Sequence, residues 1–141
     1  MGLNDLAKDT RARATAERAP FHLAMSLAVT AARANGLTVI DGVYNDIADA
    51  EGFAAECSQG LDFGFDGKTL IHPSQIETCN AVFAPSAGEL AQARAVIAAF
   101  ADPANAGKGV LKVEGKMTEL LHLSQATRMV AMAEAIAAAK D

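Results

Sequence analysis

The chain has 141 residues, of which 51% are hydrophobic, and its formal net charge is −5. This length suits one domain of ordinary size with enough apolar residues for a core. A nucleic-acid partner is not expected, because such proteins need a basic surface. The start of the chain lacks a signal-peptide pattern, and charge interrupts every apolar stretch well before the roughly 18 residues of a membrane span. We therefore predict a soluble, cytoplasmic protein with no membrane partner.

The two cysteines give no indication of a metal site. Cys57 and Cys79 form no CxxC pair, and no histidine stands near them at zinc spacing. We therefore predict two reduced thiols, as is usual in the cytoplasm.

The first part of the chain alternates between helical and strand patterns. Apolar residues recur at helical spacing over residues 20–36 and predict a first helix. The apolar run 37–40 then predicts a buried strand, and a second helix is expected over about 46–59, halted by Gly60. Residues 68–71 predict a second buried strand, which ends before a proline.

The rest of the chain is predicted to be helical apart from one hairpin. Ser86 and Glu89 match a capping box, in which a serine and a glutamate satisfy each other's backbone donors at a helix start. The other expected elements are a short helix at 74–83, a linker at 102–109, a hairpin at 110–117 turning at Glu114 and Gly115, and a last helix at about 120–140.

Alternating strands and helices predict an α/β fold with a parallel sheet. Asp41 and His72 follow the two predicted strands and stand about one strand–helix–strand unit apart. Ligands bind at the carboxyl ends of such strands, so both residues are candidates for ligand contact. Each is also explained as a structural residue, satisfied at a strand end or orienting a loop. A metal-ligand role for His72 is the weakest of these alternatives. A third strand tail is conceivable at residues 1–3.

The stretch 65–76 (FDGKTLIHPSQI) closely resembles a signature of the citrate lyase β-subunit and malyl-CoA lyase family, the CoA-ester lyases of the HpcH/HpaI aldolase superfamily. Further pieces occur in the order that this family has them. They are GLNDL at 2–6, IDGVY at 40–44, FAPS at 83–86, GKG at 107–109 and EGKM at 114–117.

The resemblance implies the C-terminal portion of a TIM (β/α)8 barrel at residues 1–101, followed by a linker at 102–109 and a C-terminal lid hairpin and helix at 110–141. The family activity is Mg²⁺-dependent cleavage or formation of a carbon–carbon bond in CoA thioesters such as malyl-CoA, citramalyl-CoA or citryl thioesters. The family's remaining barrel strands would lie upstream of this chain.

The resemblance also implies roles for individual residues. Asp5 matches the aspartate that holds the metal in this family together with a glutamate, and that glutamate would lie upstream of Met1. The implied contacts to CoA or to the acyl portion of the substrate are Asp41, His72 and Pro73. Without the resemblance, Asp5 is best explained as a helix N-cap.

Glu119 is the implied catalytic acid/base. Lyases of this family carry an aspartate near this position, on a segment that covers the active site of a neighbouring subunit. The glutamate resembles a subgroup that includes malyl-CoA thioesterases, in which a base would activate water. Seen as a sequence feature alone, Glu119 is a first-turn helix residue favoured by the helix macrodipole.

Three functions therefore remain open from the sequence. The first is a CoA-ester lyase, and the second is a malyl-CoA thioesterase. The third is a truncated or split fragment that has no activity alone and acts as an oligomerising partner. The expected assembly is a homo-oligomer or a pair with a missing N-terminal half, because unpaired strand edges invite association.

Overall fold

A computed structural model describes residues 1–139 and divides the chain into two compact units, Met1–Phe83 and Ala84–Asp141. The fold is mixed α/β, as the sequence predicts. In the described part of the chain, no helix is both long and apolar enough to cross a membrane.

The first unit contains four α-helices and two short strands among its residues. In chain order they are α1 (Leu3–Thr10), α2 (His22–Ala34), β1 (Ile40–Asp41), α3 (Ala50–Phe63), β2 (Gly67–Lys68) and α4 (Ile76–Phe83). Short 3₁₀ turns at Ala19–Phe21 and Pro73–Gln75 precede α2 and α4. The two strands run parallel, with Asp41 opposite Lys68. The predicted strand–helix–strand unit is therefore present.

Both strands of this unit are shorter than the sequence predicts. The segments 37–40 and 68–71 are predicted to be buried strands, yet pairing is confined to two residues in each strand. Leu37 is 60% exposed and Ile71 is 48% exposed, so the expected burial is wrong at both positions. Beyond β2, the backbone N–H of Ile71 donates to the side chain of Gln75 at 3.1 Å, which turns the chain out of the strand direction.

The prediction that Gly60 halts the second helix is also wrong. Helix α3 starts after its N-cap Asp49 and continues through Gly60 to Gly64, which adopts a left-handed conformation with φ 92°. A Cβ atom at Gly60 would lie 2.9 Å from the carboxylate of Asp41. The glycine thus permits close approach of the helix to a buried charge, and it is Gly64 that ends the helix.

Two apolar clusters hold the first unit together. Phe21, from the 3₁₀ turn before α2, and Met25 of α2 pack with Leu3 and Phe65. Burying each such large side chain contributes roughly 1.5–3 kcal/mol. The second cluster contains Phe53 with the neighbouring thiols Cys57 and Cys79, both of which are free, as predicted. Burial raises the pKa of Cys57 to about 12 and raises that of Cys79. These thiols are therefore poor nucleophiles in the folded chain.

The second unit is a helical pair with one hairpin. Its elements are α5 (Ala87–Ala101), a 3₁₀ turn (Pro103–Asn105), β3 (Val110–Val113), β4 (Lys116–Glu119) and α6 (Leu120–Ala138). The hairpin turns at Glu114 and Gly115, as predicted, and both have positive φ values of 48° and 83°. Such a two-residue turn matches the twist of the flanking strands. The predicted end of the last helix at residue 140 lies outside the described residues.

A small apolar core joins the hairpin to both helices of the second unit. Leu111 and Val113 of β3 pack against Ala93 and Val96 of α5 and Ala126 of α6. Helix α5, which falls within the predicted barrel portion at residues 1–101, therefore packs against the hairpin and α6.

Candidate functional site

The first unit has a cavity of about 220 Å³ close to where β1 ends. The loop that follows β1, the start of α1 and the side of α3 all contribute to its wall. Its polar lining residues are Asn4, Thr15, Arg18, Tyr44, Asn45, Asp46 and Glu56. This is the position in an α/β unit where ligands bind.

The loop after β1 is fastened to α1 by a pair of amides. The Nδ2 atom of Asn4 donates to the Oδ1 atom of Asn45 at 3.1 Å, and Asn45 donates back to Asn4 at 3.1 Å. The amino group of Met1 also donates to the carbonyl oxygen of Ile40 at 2.6 Å. These bonds hold Asn4, which precedes Asp5, against the loop after β1.

A buried ion cluster lies beneath this loop. The Oδ2 atom of Asp41 is 2.6 Å from Nη1 of Arg18 and 3.2 Å from Nζ of Lys68, and Oδ1 accepts from the N–H of Gly42 at 2.7 Å. Lys68 also contacts Glu56. The Asp41 side chain has no exposed surface. The contact of Asp41 with the substrate stays a prediction, and the hydrogen bond from Gly42 fits its alternative role in orienting the neighbouring loop.

Of this cluster, only Asp41 was a candidate site residue from the sequence. The role of Lys68 could have been predicted from the sequence, because a charge in a strand predicted to be buried needs a buried partner. The role of Arg18 could not, since this residue stands in a polar segment and its left-handed φ of 53° appears only in the structure. The sequence spacing of Glu56 likewise does not indicate that its carboxylate meets Lys68.

His72 and Pro73 lie exposed in the segment after β2. The Nδ1 atom of His72 accepts from the backbone N–H of Ser74 at 3.2 Å, so the ring proton of this arrangement is on Nε2. His72 thereby caps the 3₁₀ turn Pro73–Gln75. The Nδ1 atom thus has a hydrogen-bond partner at the strand end. The Nε2–H group is exposed and free to donate to a ligand. The ligand contacts of His72 and Pro73 stay predictions.

Asp5 lies exposed in the first turn of α1. The N-cap of this helix is Gly2, so the alternative of Asp5 as the N-cap is wrong, and Leu3 begins the helix where a strand tail was conceivable. No group of three or more histidine, cysteine, aspartate or glutamate side chains among residues 1–139 is arranged to hold a metal. Mg²⁺ typically takes only one or two protein carboxylates and completes its shell with water and substrate. An exposed Asp5 fits one such position.

Glu119 lies in the second unit, as the last residue of β4 and the N-cap of α6. It thus stands one position before the first helical turn to which the sequence assigns it. Its backbone N–H donates to Nδ1 of His122 at 2.9 Å, which fixes the start of the helix. Its side chain is half-buried at the positive end of a 19-residue helix, where a negative charge is stabilised.

The second unit also contains a groove of about 520 Å³ between α5, β4 and α6. Thr118 and His122, on either side of Glu119 in the sequence, contribute to its wall, whereas Glu119 does not. The groove therefore borders the segment that carries the predicted acid/base. The other predicted site residues all belong to the first unit.

Comparison with known proteins gives one matching family and related enzymes of two kinds. The chain matches the family described as HpcH/HpaI aldolase/citrate lyase over residues 1–73. It is 52% identical over 138 residues to a (3S)-malyl-CoA thioesterase of Cereibacter sphaeroides, covering 98% of this chain and 48% of that protein. An L-malyl-CoA/beta-methylmalyl-CoA lyase from the same species is 35% identical over 119 residues, with coverages of 84% and 37%.

A solved structure is also similar to this chain. The protein CitE from Mycobacterium tuberculosis, in complex with magnesium, acetoacetate and coenzyme A, gives a TM-score of 0.64 at 35% identity. The similarity covers 78% of this chain and 40% of CitE. The chain thus spans about half the length of the curated relatives it matches most fully.

Proposed function

The chain belongs to the HpcH/HpaI aldolase/citrate lyase family, and from that premise we propose that it forms part of an enzyme that hydrolyses the thioester of malyl-CoA. The observation that carries this proposal is the 52% identity, over 98% of the chain, to a (3S)-malyl-CoA thioesterase. From the sequence alone, lyase activity comes first and hydrolysis second. The higher identity to the thioesterase reverses that order.

The substrate would bind at the carboxyl ends of β1 and β2. The exposed Nε2–H of His72 is available to donate to an oxygen of CoA or of the acyl group, and Pro73 gives the neighbouring surface a fixed backbone. The cavity beside the β1 loop offers amide groups from Asn4 and Asn45. In this proposal β1 and β2 are two of the parallel strands of a (β/α)8 barrel.

Asp5 would hold Mg²⁺, with a second carboxylate supplied from outside this chain. When bound, the metal polarises a substrate oxygen and orients the carboxylate and hydroxyl groups of a β-hydroxy acid. Asp5 suits this role because it is exposed and because the Asn4–Asn45 amide pair fixes the helix turn that carries it.

Glu119 would act as the base, at the active site of a neighbouring subunit as in its family. Its carboxylate takes a proton from water while the water oxygen bonds to the thioester carbonyl carbon. The C–S bond then breaks, the acyl group leaves as malate, and the proton passes from Glu119 to the CoA thiolate. Glu119 stands at the N-terminus of α6, where a negative charge interacts favourably with the helix dipole.

Carbon–carbon cleavage is the second candidate function. It is favoured by the 35% identity to an L-malyl-CoA/beta-methylmalyl-CoA lyase over 84% of the chain. In that reaction the acid/base would serve proton transfer to or from carbon. A glutamate places its carboxylate about one bond farther from the backbone than an aspartate, and a misplacement on the order of 1 Å can change a rate about 10²-fold.

Substitution of Glu119 tests the base directly. The test uses the complete enzyme, in which this chain is combined with the part of its relatives' length that it does not cover. In that enzyme, Glu119→Gln should lower kcat for malyl-CoA hydrolysis by about 10²–10⁴-fold. KM should change little, because the contacts to metal and CoA remain. Glu119→Asp should raise cleavage relative to hydrolysis if the reach of the carboxylate decides between them.

Glu114→Gln provides the matched control, since Glu114 is an exposed glutamate at the turn of the same hairpin. Its kcat should equal that of the unsubstituted enzyme. Unchanged kcat in Glu119→Gln would assign Glu119 a structural role at the start of α6 and remove the base from this proposal.

A further inference from the structure

Gln75 is a buried amide with a partner on each side. The residue is only 3% exposed. Its Oε1 atom accepts from the backbone N–H of Ile71 at 3.1 Å, and its Nε2 atom donates to the backbone oxygen of Tyr44 at 3.1 Å. Its own backbone N–H donates to the carbonyl oxygen of His72.

The two partners belong to different strand-end loops. Tyr44 lies in the loop after β1 and lines the cavity, whereas Ile71 immediately precedes His72 in the segment after β2. The strands themselves pair over only two residues each, so they do little to fix how these loops diverge. The amide of Gln75 provides a direct bridge between them.

This bridge favours one arrangement of the loops. A buried N–H or C=O group that loses its partner incurs its full desolvation penalty, which makes separation of either loop from Gln75 unfavourable. An apolar side chain of the same length would fill the space but would satisfy neither Ile71 nor Tyr44. The hydrogen-bonding capacity of Gln75, in addition to its volume, is therefore what joins the loops.

We propose that Gln75 is a positioning residue that holds the His72 segment at a fixed distance from the cavity wall at Tyr44. The inference rests on the proposed function, because it assumes that these loops bind the CoA thioester. Gln75 acts through the loops and does not itself face a ligand.

Gln75→Met tests the bridge, because it keeps an unbranched side chain of similar length and removes both hydrogen bonds. In the complete enzyme, KM for malyl-CoA should rise about 10-fold or more, while kcat changes less than about threefold, as expected when binding contacts are misplaced. In the same protein, hydrogen exchange at the Ile71 amide and in residues 42–46 should speed up by about 10-fold or more.

Asn105→Leu is the matched control. Asn105 also donates its side-chain amide to a backbone oxygen, that of Ala99, but it lies in the second unit. Its KM and its exchange at residues 42–46 should equal those of the unsubstituted enzyme. If Gln75→Met does not fold, Gln75→Glu decides: it keeps the acceptor for Ile71 and loses the donor to Tyr44, so exchange should speed up at 42–46 alone and KM should still rise.

Two outcomes would overturn the inference. The first is an unchanged KM and unchanged exchange in the Gln75 variant that folds. The second is faster exchange with an unchanged KM, which would make the bridge purely structural. The KM comparison applies equally if the enzyme cleaves malyl-CoA instead of hydrolysing it, so a failure of the proposed function leaves this test intact.

Discussion

At the scale of a single residue, the ion-pair partners of Asp41 account for a polar side chain at the buried end of a strand. Its carboxylate has no exposed surface and lies within ion-pair distance of Arg18 and Lys68. Loss of one member of a buried ion pair leaves the others charged, buried and unpaired. The cluster therefore stabilises the packing of β1, β2 and α3 only as a complete set.

We expect Asp41→Asn to lower the free energy of unfolding by about 3–5 kcal/mol, because Arg18 and Lys68 would then share fewer negative partners. Urea unfolding followed by circular dichroism measures the change. Asp62→Asn, at an exposed aspartate of α3, should stay within about 0.5 kcal/mol of the unsubstituted chain. Equal effects of the two substitutions would show that burial of Asp41 contributes nothing.

The location of Asp41 was predictable from the sequence, but its environment was not. A polar residue directly after an apolar run indicates a strand end, and β1 ends at Asp41. Its partner Arg18 lies 23 positions away and Lys68 lies 27 away, separations that no local pattern specifies. The same applies to Gln75, whose contact with Tyr44 spans 31 positions.

At the scale of elements, the start of α5 shows how completely a local motif can specify structure. The backbone N–H and the hydroxyl group of Ser86 both donate to Glu89, and the N–H of Glu89 donates to the Ser86 hydroxyl oxygen. Hydrogen bonds from the Ser86 side chain and backbone lower the pKa of Glu89 below its ordinary value of 4.5. The capping box therefore depends on pH.

Ser86→Ala should lower the free energy of unfolding by about 1 kcal/mol at pH 7, as is typical for loss of an N-cap. Since the pKa of Glu89 is depressed in the folded chain, its contribution is fully present above pH 4.5 and is lost as the pH falls through the lowered value. The destabilisation caused by Glu89→Gln should therefore be larger at pH 7 than at pH 3. Glu134→Gln, an exposed substitution on α6, should show no such difference.

Elements fixed by neighbouring residues were predicted well. The capping box, the hairpin turn at Glu114 and Gly115, and most helix limits follow from contacts within a few positions. The strands were overestimated, because an apolar run alone does not say how many of its residues find a partner. Gly60 was misassigned because its role depends on Asp41, a distant residue that approaches the helix.

At the scale of the whole molecule, the chain consists of two units and spans about half the length of its curated relatives. The exposed Ile40 of β1, at 46%, and the two-stranded sheet leave apolar surface and strand edges in the first unit. In the proposed barrel these edges would pair with strands from the complementary half. The family could be identified from short motifs in order, whereas the choice of reaction could not, because lyase and thioesterase share those motifs.

The products formed from malyl-CoA test the proposed hydrolysis most directly. This chain, combined with its complementary half and supplied with Mg²⁺, is incubated with malyl-CoA, and free CoA, malate, acetyl-CoA and glyoxylate are measured over time. The proposal predicts free CoA and malate in equal amounts, without matching glyoxylate. Acetyl-CoA and glyoxylate as the main products, formed in equal amounts, would contradict it and establish carbon–carbon cleavage.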